Sequence, residues 1–175
     1  MKILPHSFDQ HQSGYTLIEL LLYVAIVGAV LTSVTFFFGI TLDARVKNQS
    51  ILEVNEQGTA VMDAITQTIR NGNSITAPTI GTSGASLTLV VPTGTLSPTI
   101  FNLSSGAVQI KEGAAALVPV TSSKVVVSSL TFKNLSRAST PGTVQVSFVI
   151  SRLNPNNKNE YDYQKTFVGT AEVAW

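Results

Sequence analysis

A long apolar run with a single charge at its start constrains this chain more than any other feature. No residue from Leu20 to Leu42 is charged, and Glu19 lies at the beginning of the run. The 28 residues 15–42 exceed the ~20 that a helix needs to cross the hydrocarbon core of a bilayer. We therefore predict a membrane-spanning helix over residues 15–42. Because a carboxylate is costly to remove from water without a partner, Glu19 requires an explanation of its own.

The segment before the run does not resemble a secretory signal peptide. Residues 1–14 are polar and turn-rich, with Lys2 as the only lysine or arginine. A secretory signal has a basic start, an apolar centre and a small-residue cleavage site after that centre. Here the small-residue junction, Ser13-Gly14, precedes the apolar stretch. A cut at this junction would remove a leader and leave the apolar segment as the new N-terminus.

The junction and the residues after it resemble a known processing motif. Gly14-Tyr15-Thr16-Leu17-Ile18-Glu19 is similar to the prepilin motif of type IV pilins and type II secretion pseudopilins, in which Gly precedes an aromatic residue, usually Phe, and then Thr-Leu-hydrophobic-Glu. The resemblance implies cleavage after Gly14 by a membrane aspartyl prepilin peptidase and N-methylation of Tyr15. It also implies a single-pass protein of the cytoplasmic (inner) membrane with its C-terminal domain outside, which later joins a pilus or pseudopilus.

Within this resemblance, Glu19 has a role in assembly. After cleavage, Tyr15 would present an amino group near lipid, and Glu19 of a neighbouring subunit would neutralise it. Pairing of desolvated charges penalises a wrong register strongly even where its net stabilisation is small. The alternative is an interfacial glutamate that extends to the aqueous phase at the end of an ordinary membrane anchor.

The helical pattern continues beyond the predicted span. No proline lies between positions 5 and 78, and apolar or small residues recur at steps of three and four, which is typical of an amphipathic helix: Val54, Gly58, Val61, Ile65 and Ile69. We predict one helix from Tyr15 to about Arg70, ended by Asn71-Gly72-Asn73. Gly28 and Gly39 either allow close helix approach or loosen the helix on assembly.

The remainder of the chain alternates polar and apolar residues with a period of two, which predicts strands. We predict strands over residues 86–91, 100–103, 107–110, 124–133, 144–151 and 161–173, with a break at Ser128-Ser129 and turns at 104–106 and 154–159. A helix followed by strands with short connections indicates an α+β fold, with an antiparallel sheet packed on the C-terminal half of the helix. The predicted segments are a leader (1–14), a transmembrane and filament-core helix (15–42), its amphipathic second half (43–71) and a β-rich globular domain (72–175).

Few residues outside the N-terminal segment suggest chemistry. The chain has no cysteine, and both histidines lie in the predicted leader, so we predict no catalytic residue, no metal site, no cofactor and no enzymatic activity. The Asn-rich turn 154–159 resembles a calcium-binding pseudopilin loop, but a solvated turn is favoured because too few carboxylates are near. Tyr161 and Tyr163 are expected on one face of the last strand, as core or as a binding surface. The net charge of +1 gives no reason to expect nucleic-acid binding.

Two classes of function fit these features. The first, implied by the resemblance, is a minor pilin or pseudopilin used in adhesion, motility, DNA uptake or secretion. Its partners would be the prepilin peptidase and N-methyltransferase, other pilin or pseudopilin subunits, the inner-membrane assembly platform and, before assembly, the lipid bilayer. The second is an adhesin-like binding domain that is anchored in the membrane and never enters a filament.

Overall fold

The computed structural model describes residues 15–140 and 142–174, and their first element is one long helix. This helix, α1, runs over Leu17–Arg70, so the predicted start at Tyr15 was wrong by two residues. At its end, the Asn71 N–H donates to the Gln67 carbonyl (3.0 Å) and the Gly72 N–H to the Ile69 carbonyl (3.1 Å). The chain divides into two compact units, one ending at Leu42 and the other beginning at Asp43.

In the second unit, α1 buries one face. The buried residues recur at steps of three and four and include the whole predicted stripe, with one additional serine: Ser50, Val54, Gly58, Val61, Ile65 and Ile69. This spacing places all six on one side of a helix with 3.6 residues per turn. The amphipathic pattern of this part of α1 is therefore confirmed.

Nine strands follow α1 in the described part of the chain. Their bounds are β1 Ser74–Ala77, β2 Ser83–Gly84, β3 Leu87–Val90, β4 Thr99–Ser104, β5 Ala107–Glu112, β6 Val118–Pro119, β7 Val125–Asn134, β8 Thr143–Arg152 and β9 Gln164–Glu172. Every pairing is antiparallel. The predicted α+β class is confirmed.

The strands form two sheets, whereas we predicted one. The first sheet has the order β1-β3-β4-β5-β6 and the second the order β2-β7-β8-β9. The division follows from β6, which has two residues and ends at Pro119. The Val120 N–H still donates to the Val108 carbonyl (2.7 Å), so the Pro119 nitrogen lies on the side away from β5. Because proline has no N–H, it offers no donor to a further strand at this edge, and β7 pairs with β8 instead.

Two local predictions about the strands are confirmed. The β4–β5 hairpin turns at Ser105 and Gly106, whose φ angles of +51° and +76° lie in the left-handed region that such a turn requires. The register of β7 against β8 shifts between Ser128 and Thr131, and Ser129 has a φ of +56°. This bulge is the predicted break at Ser128-Ser129.

The last strand starts later than predicted, because a closed turn precedes it. The Asn154 side chain donates to the Lys158 carbonyl (2.8 Å) and accepts from the Lys158 N–H (2.9 Å). A short 3-10 helix, Asn159–Tyr161, follows, and these local bonds occupy backbone groups that a strand would need. Tyr161 and Tyr163 therefore precede β9, and the prediction that they share a face of it was wrong.

The aqueous half of α1 packs closely on β9. Gly58 lies against the Phe167 ring, which stacks on Phe148 with centroids 5.4 Å apart. Further along, a Cβ at Gly169 would lie 2.6 Å from Met62 Sδ. Both glycines therefore lie where a strand and a helix approach closely, and a side chain at either position would require Phe167 or Met62 to move.

Polar contacts add to this packing near the start of the second unit. Glu53 lies 3.6 Å from Lys124 Nζ and 3.7 Å from an Arg152 guanidinium nitrogen. The Gln57 side-chain oxygen accepts from the Ser122 N–H at 3.1 Å. These contacts connect α1 to β8 and to the segment before β7. They therefore hold the helix on the sheets in addition to the packing of its apolar face.

Candidate functional site

The N-terminal segment is the candidate site, and its first structural feature is a helix cap. Thr16 directly precedes α1, and the Glu19 N–H lies 3.4 Å from Thr16 Oγ1 and 3.1 Å from the Thr16 carbonyl. Thr16-Leu17-Ile18-Glu19 has the Thr-x-x-Glu spacing of a capping box, in which the first side chain satisfies a free N–H of the first turn. Thr16 is a residue whose role our sequence reasoning missed, although this four-residue pattern was sufficient to find it.

Glu19 occupies the third position of α1 and is half-buried. A carboxylate in the first turn interacts favourably with the partial positive charge of the helix N-terminus. Glu19 is therefore suited to stabilise its own helix start, in addition to any contact with a neighbour. The interaction with the helix terminus needs the charge of Glu19, whereas a capping box accepts Gln as well as Glu.

Tyr15 is exposed beside this helix start. Its side chain is 76% exposed, and its ring meets that of Tyr23 edge to face, with centroids 6.3 Å apart. Glu19 lies between these two residues in the chain, so two aromatic side chains flank the carboxylate in sequence. Gly14, the predicted residue before the cut, lies outside the described residues.

The helix that follows is apolar and uncovered. An 18-residue window of α1 has a mean hydropathy of 2.3, and none of that window is buried. By length and composition α1 is therefore able to cross a membrane. Large apolar side chains such as Phe36 and Ile40, 72% and 70% exposed, have no covering partner in the described chain. A surface of this size indicates contact with lipid or with other proteins.

Hydroxyl groups within this apolar segment are satisfied by the helix itself. Each donates to the carbonyl four residues earlier at 2.8–2.9 Å: Thr32 to Gly28, Ser33 to Ala29, Thr35 to Leu31 and Thr41 to Phe37. Unsatisfied donors are expensive in hydrocarbon. These bonds therefore make the polar residues of the segment compatible with a membrane or a helix bundle.

Outside this segment, the described residues offer little chemistry. In residues 15–140 and 142–174, no group of three or more His, Cys, Asp or Glu residues could hold a metal ion. In the Asn-rich turn, Asn154 bonds Lys158 and the Glu160 carboxylate lies 3.7 Å from Lys158 Nζ. An open cleft of about 450 Å³ contains Glu53 with its two cationic partners, which is an arrangement typical of a structural ion pair.

Comparison with known proteins identifies the N-terminal segment. Residues 9–35 match the model of the prokaryotic N-terminal methylation motif, and this range includes Thr16, Glu19 and the beginning of the uncovered apolar helix. This match supports a type IV pilin-like prepilin. The comparisons with curated proteins and with solved structures found no match for it. The α+β arrangement, with one long N-terminal helix on antiparallel sheets, is pilin-like as well.

The motif supports a broad class of protein rather than one subunit of one system. It supports a type IV pilin or pseudopilin that prepilin peptidase processes, and it indicates a structural subunit rather than an enzyme. The motif and the apolar helix fit a protein anchored in the inner membrane.

Proposed function

We propose that this prepilin is a minor pilin or pseudopilin, cleaved after Gly14, methylated at Tyr15 and assembled through helix packing with Glu19 as a register device. The observation that carries the proposal is the methylation motif at residues 9–35, which leads directly into an exposed apolar helix. The subunit serves a type IV pilus or a type II secretion pseudopilus. Its partners are prepilin peptidase, other pilin-like subunits and the inner-membrane assembly platform.

The apolar helix has two successive environments in this function. Residues 15–42 correspond to about 42 Å at 1.5 Å per residue, longer than the ~30 Å hydrocarbon core of a bilayer. Before assembly, lipid covers the exposed side chains. In the filament, the helices of other subunits cover the same side chains. Assembly therefore does not expose this apolar surface to water. The globular unit remains on the extracytoplasmic side throughout.

Glu19 specifies the register of each subunit when its helix leaves the lipid and packs on other subunits. Cleavage before Tyr15 creates an amino group four residues from Glu19 in the sequence, and the Glu19 carboxylate of one subunit neutralises that amino group of the next. A subunit placed one helical turn out of register leaves both charges unpaired in an apolar environment, which costs several kcal/mol. Wrong registers are therefore rejected even if the correct pair contributes little net stability.

The test separates the charge of Glu19 from its place in the capping box. Glu19→Gln retains the box, because Gln functions at this position, but it removes the charge. We expect Glu19→Gln to be cleaved and methylated normally and to be lost from assembled filaments. The matched control is Glu56→Gln, which neutralises an exposed carboxylate on the aqueous half of the same helix and should assemble like the unaltered chain.

Mass spectrometry of the mature N-terminus tests the processing step. We expect a chain that begins at Tyr15 with one added methyl group, and an uncleaved chain when Gly14 is replaced by Val. An intact leader on the unaltered protein would refute the proposed processing. A chain that stays uncleaved and acts on the cell surface independently of Glu19 would instead support the anchored binding domain.

A further inference from the structure

The second sheet ends in a long open edge. β9 pairs with β8 through nine consecutive residue pairs without a register shift, and it is the terminal strand of its sheet. In an antiparallel ladder, alternate residues direct their N–H and C=O to the same neighbour. The Arg152 N–H donates to the Tyr163 carbonyl (3.1 Å) and the Val173 N–H to the Gly142 carbonyl (2.7 Å), so odd-numbered residues bond to β8. The N–H and C=O groups of the even-numbered residues face the open edge: Gln164, Thr166, Val168, Thr170 and Glu172.

The other sheet edges in the described chain are protected, whereas the β9 edge is not. β2 and β6 have two residues each, and β6 ends in Pro119. β1 has an irregular register between Ile75 and Ala77 and is followed by Pro78. Short strands, prolines, irregularities and charged side chains, lysine above all, prevent unwanted strand pairing. Of these, β9 has only Lys165 near its start and Glu172 at its end. β9 has nine residues, and its sequence contains no proline.

The side chains of this edge are suited to a strand partner. Three of the five are neutral and polar, and they surround Val168, which is 63% exposed, more than any other large apolar residue in the described strands. Glu172 carries a negative charge at the C-terminal end of β9. An incoming antiparallel strand would place its N-terminal end beside Glu172, where a basic residue would be favourable.

We propose that the open edge of β9 is a docking site for an extended segment of a different subunit of the assembly, which adds as an antiparallel strand. Main-chain hydrogen bonds provide the affinity, as in other cases of strand addition. The segment carries small or β-branched residues, with an apolar residue opposite Val168 and a basic residue beside Glu172. Antiparallel addition is favoured because antiparallel pairing is slightly more stable per residue than parallel pairing.

The direction of β9 excludes a second copy of this chain as the antiparallel partner. Lys165 Nζ donates to Asn55 Oδ1 (2.7 Å) near one end of β9, and just beyond the other end the Ala174 N–H donates to the Arg70 carbonyl (3.2 Å). β9 therefore runs in the same direction as α1. Two antiparallel β9 strands would also set residues 43–70 of the two copies antiparallel to each other, whereas helix packing in the proposed filament requires the copies to run in one direction. This choice of occupant rests on the proposed function.

Photo-crosslinking of the full chain in cells tests the proposal. A photoreactive residue at Val168 lies on the exposed face of the edge strand, and the control position is Ser147, which lies directly opposite Val168 on the interior strand β8. We expect a product with a different pilin-like subunit from position 168 and none from position 147. Thr170→Pro removes one edge N–H without removing a β8–β9 bond, so this variant should lose the product.

Amide hydrogen exchange distinguishes strand addition from simple proximity. In the isolated chain in detergent, the N–H groups of Thr166, Val168 and Thr170 should exchange faster than those of Phe167 and Gly169. In the cross-linked product this alternation should disappear. A product containing two copies of this chain, equal products from both positions, no product, or persistent alternation would each overturn the proposal.

The mature N-terminus, measured in the same cells, separates this proposal from the proposed function. A correctly processed chain without a product at Val168 refutes only the docking site. An unprocessed chain that still gives the product with a different subunit refutes only the proposed function. An unprocessed chain without a product refutes both.

Discussion

The close packing of α1 on the second sheet at Gly58 predicts how a substitution there changes stability. A Cβ placed there would overlap the edge of the Phe167 ring, with Cδ2 at 2.9 Å and two further ring atoms closer still. The Phe167 ring stacks on the buried Phe148, and Lys165 Nζ lies 5.1 Å from the centroid of the Phe167 ring. We therefore expect Gly58→Ala to destabilise the globular unit, although Ala is the better helix former.

The magnitude follows from two opposing contributions. Replacing Gly by Ala within a helix contributes about 1 kcal/mol of stability. Overpacking costs about 1–3 kcal/mol if the ring stays in place, and a ring that swings outward loses a stacking interaction of about 0.5–1.5 kcal/mol in addition to buried area. The net loss for Ala should be about 1 kcal/mol, equivalent to a fall of roughly 3–5 °C in Tm for a unit of this size. Gly58→Val should cost more, because its side chain is larger and it gains less helix propensity.

Thermal unfolding of the full chain in detergent micelles, followed through the sheet signals, measures this effect. The decisive experiment is a double-mutant cycle with Phe167→Leu, which removes the ring edge. In that background, Gly58→Ala should become neutral or stabilising, which gives a coupling energy of about 1 kcal/mol or more. Gly28→Ala is the matched control, because no atom lies within 4 Å of a Cβ at that position. If Gly58→Ala raises the Tm in the unaltered background, the close-packing argument is refuted.

Two further substitutions test polar contacts. Asn134 is buried and donates to the Pro78 carbonyl (2.7 Å) while accepting from the Ser136 N–H (3.0 Å); Asn134→Leu leaves both groups unpaired and should cost about 1–3 kcal/mol in chemical unfolding. Thr16→Ala removes the cap of α1 and should cost about 0.5–2 kcal/mol locally, seen as faster amide exchange in the first helical turn, whereas Thr16→Ser should preserve protection.

Each of these predictions has an outcome that contradicts it. An unfolding midpoint for Asn134→Leu equal to that of the exposed control Asn156→Ala would show that the network contributes nothing. Equal amide exchange in Thr16→Ala and Thr16→Ser would show that the hydroxyl does not cap the helix.

Sequence patterns predicted those parts of the fold that depend on near neighbours. The buried stripe of α1, the hairpin turn at Gly106 and the bulge at Ser128-Ser129 are each determined within a few residues. The division into two sheets depends instead on which strands pair across long stretches of chain. A two-residue strand such as β2 has no period that a pattern could reveal. Pairing between distant short strands therefore had to come from the structure.

The same distinction applies to the candidate site. The methylation motif and the capping box are local, so both can be read from consecutive residues. The reason for glycine at position 58 lies in Phe167, more than a hundred positions later, and the sequence showed only a small residue within an apolar stripe. The open edge of β9 is equally non-local, because it depends on which strand ends the sheet.

The capping geometry gives Glu19 a local role at the start of α1. A glutamate in the first turn of α1 would be favourable in an isolated chain, since Thr16 and the helix terminus both suit it. Its presence therefore does not by itself require a partner subunit. Gln retains the capping-box sequence and loses only the interaction of the charge with the helix terminus, which is worth about 0.3–1 kcal/mol. If Gln at this position preserves helix start, cleavage and filament entry alike, Glu19 is a capping residue, whereas loss of filament entry alone identifies the pairing with a neighbour's N-terminus.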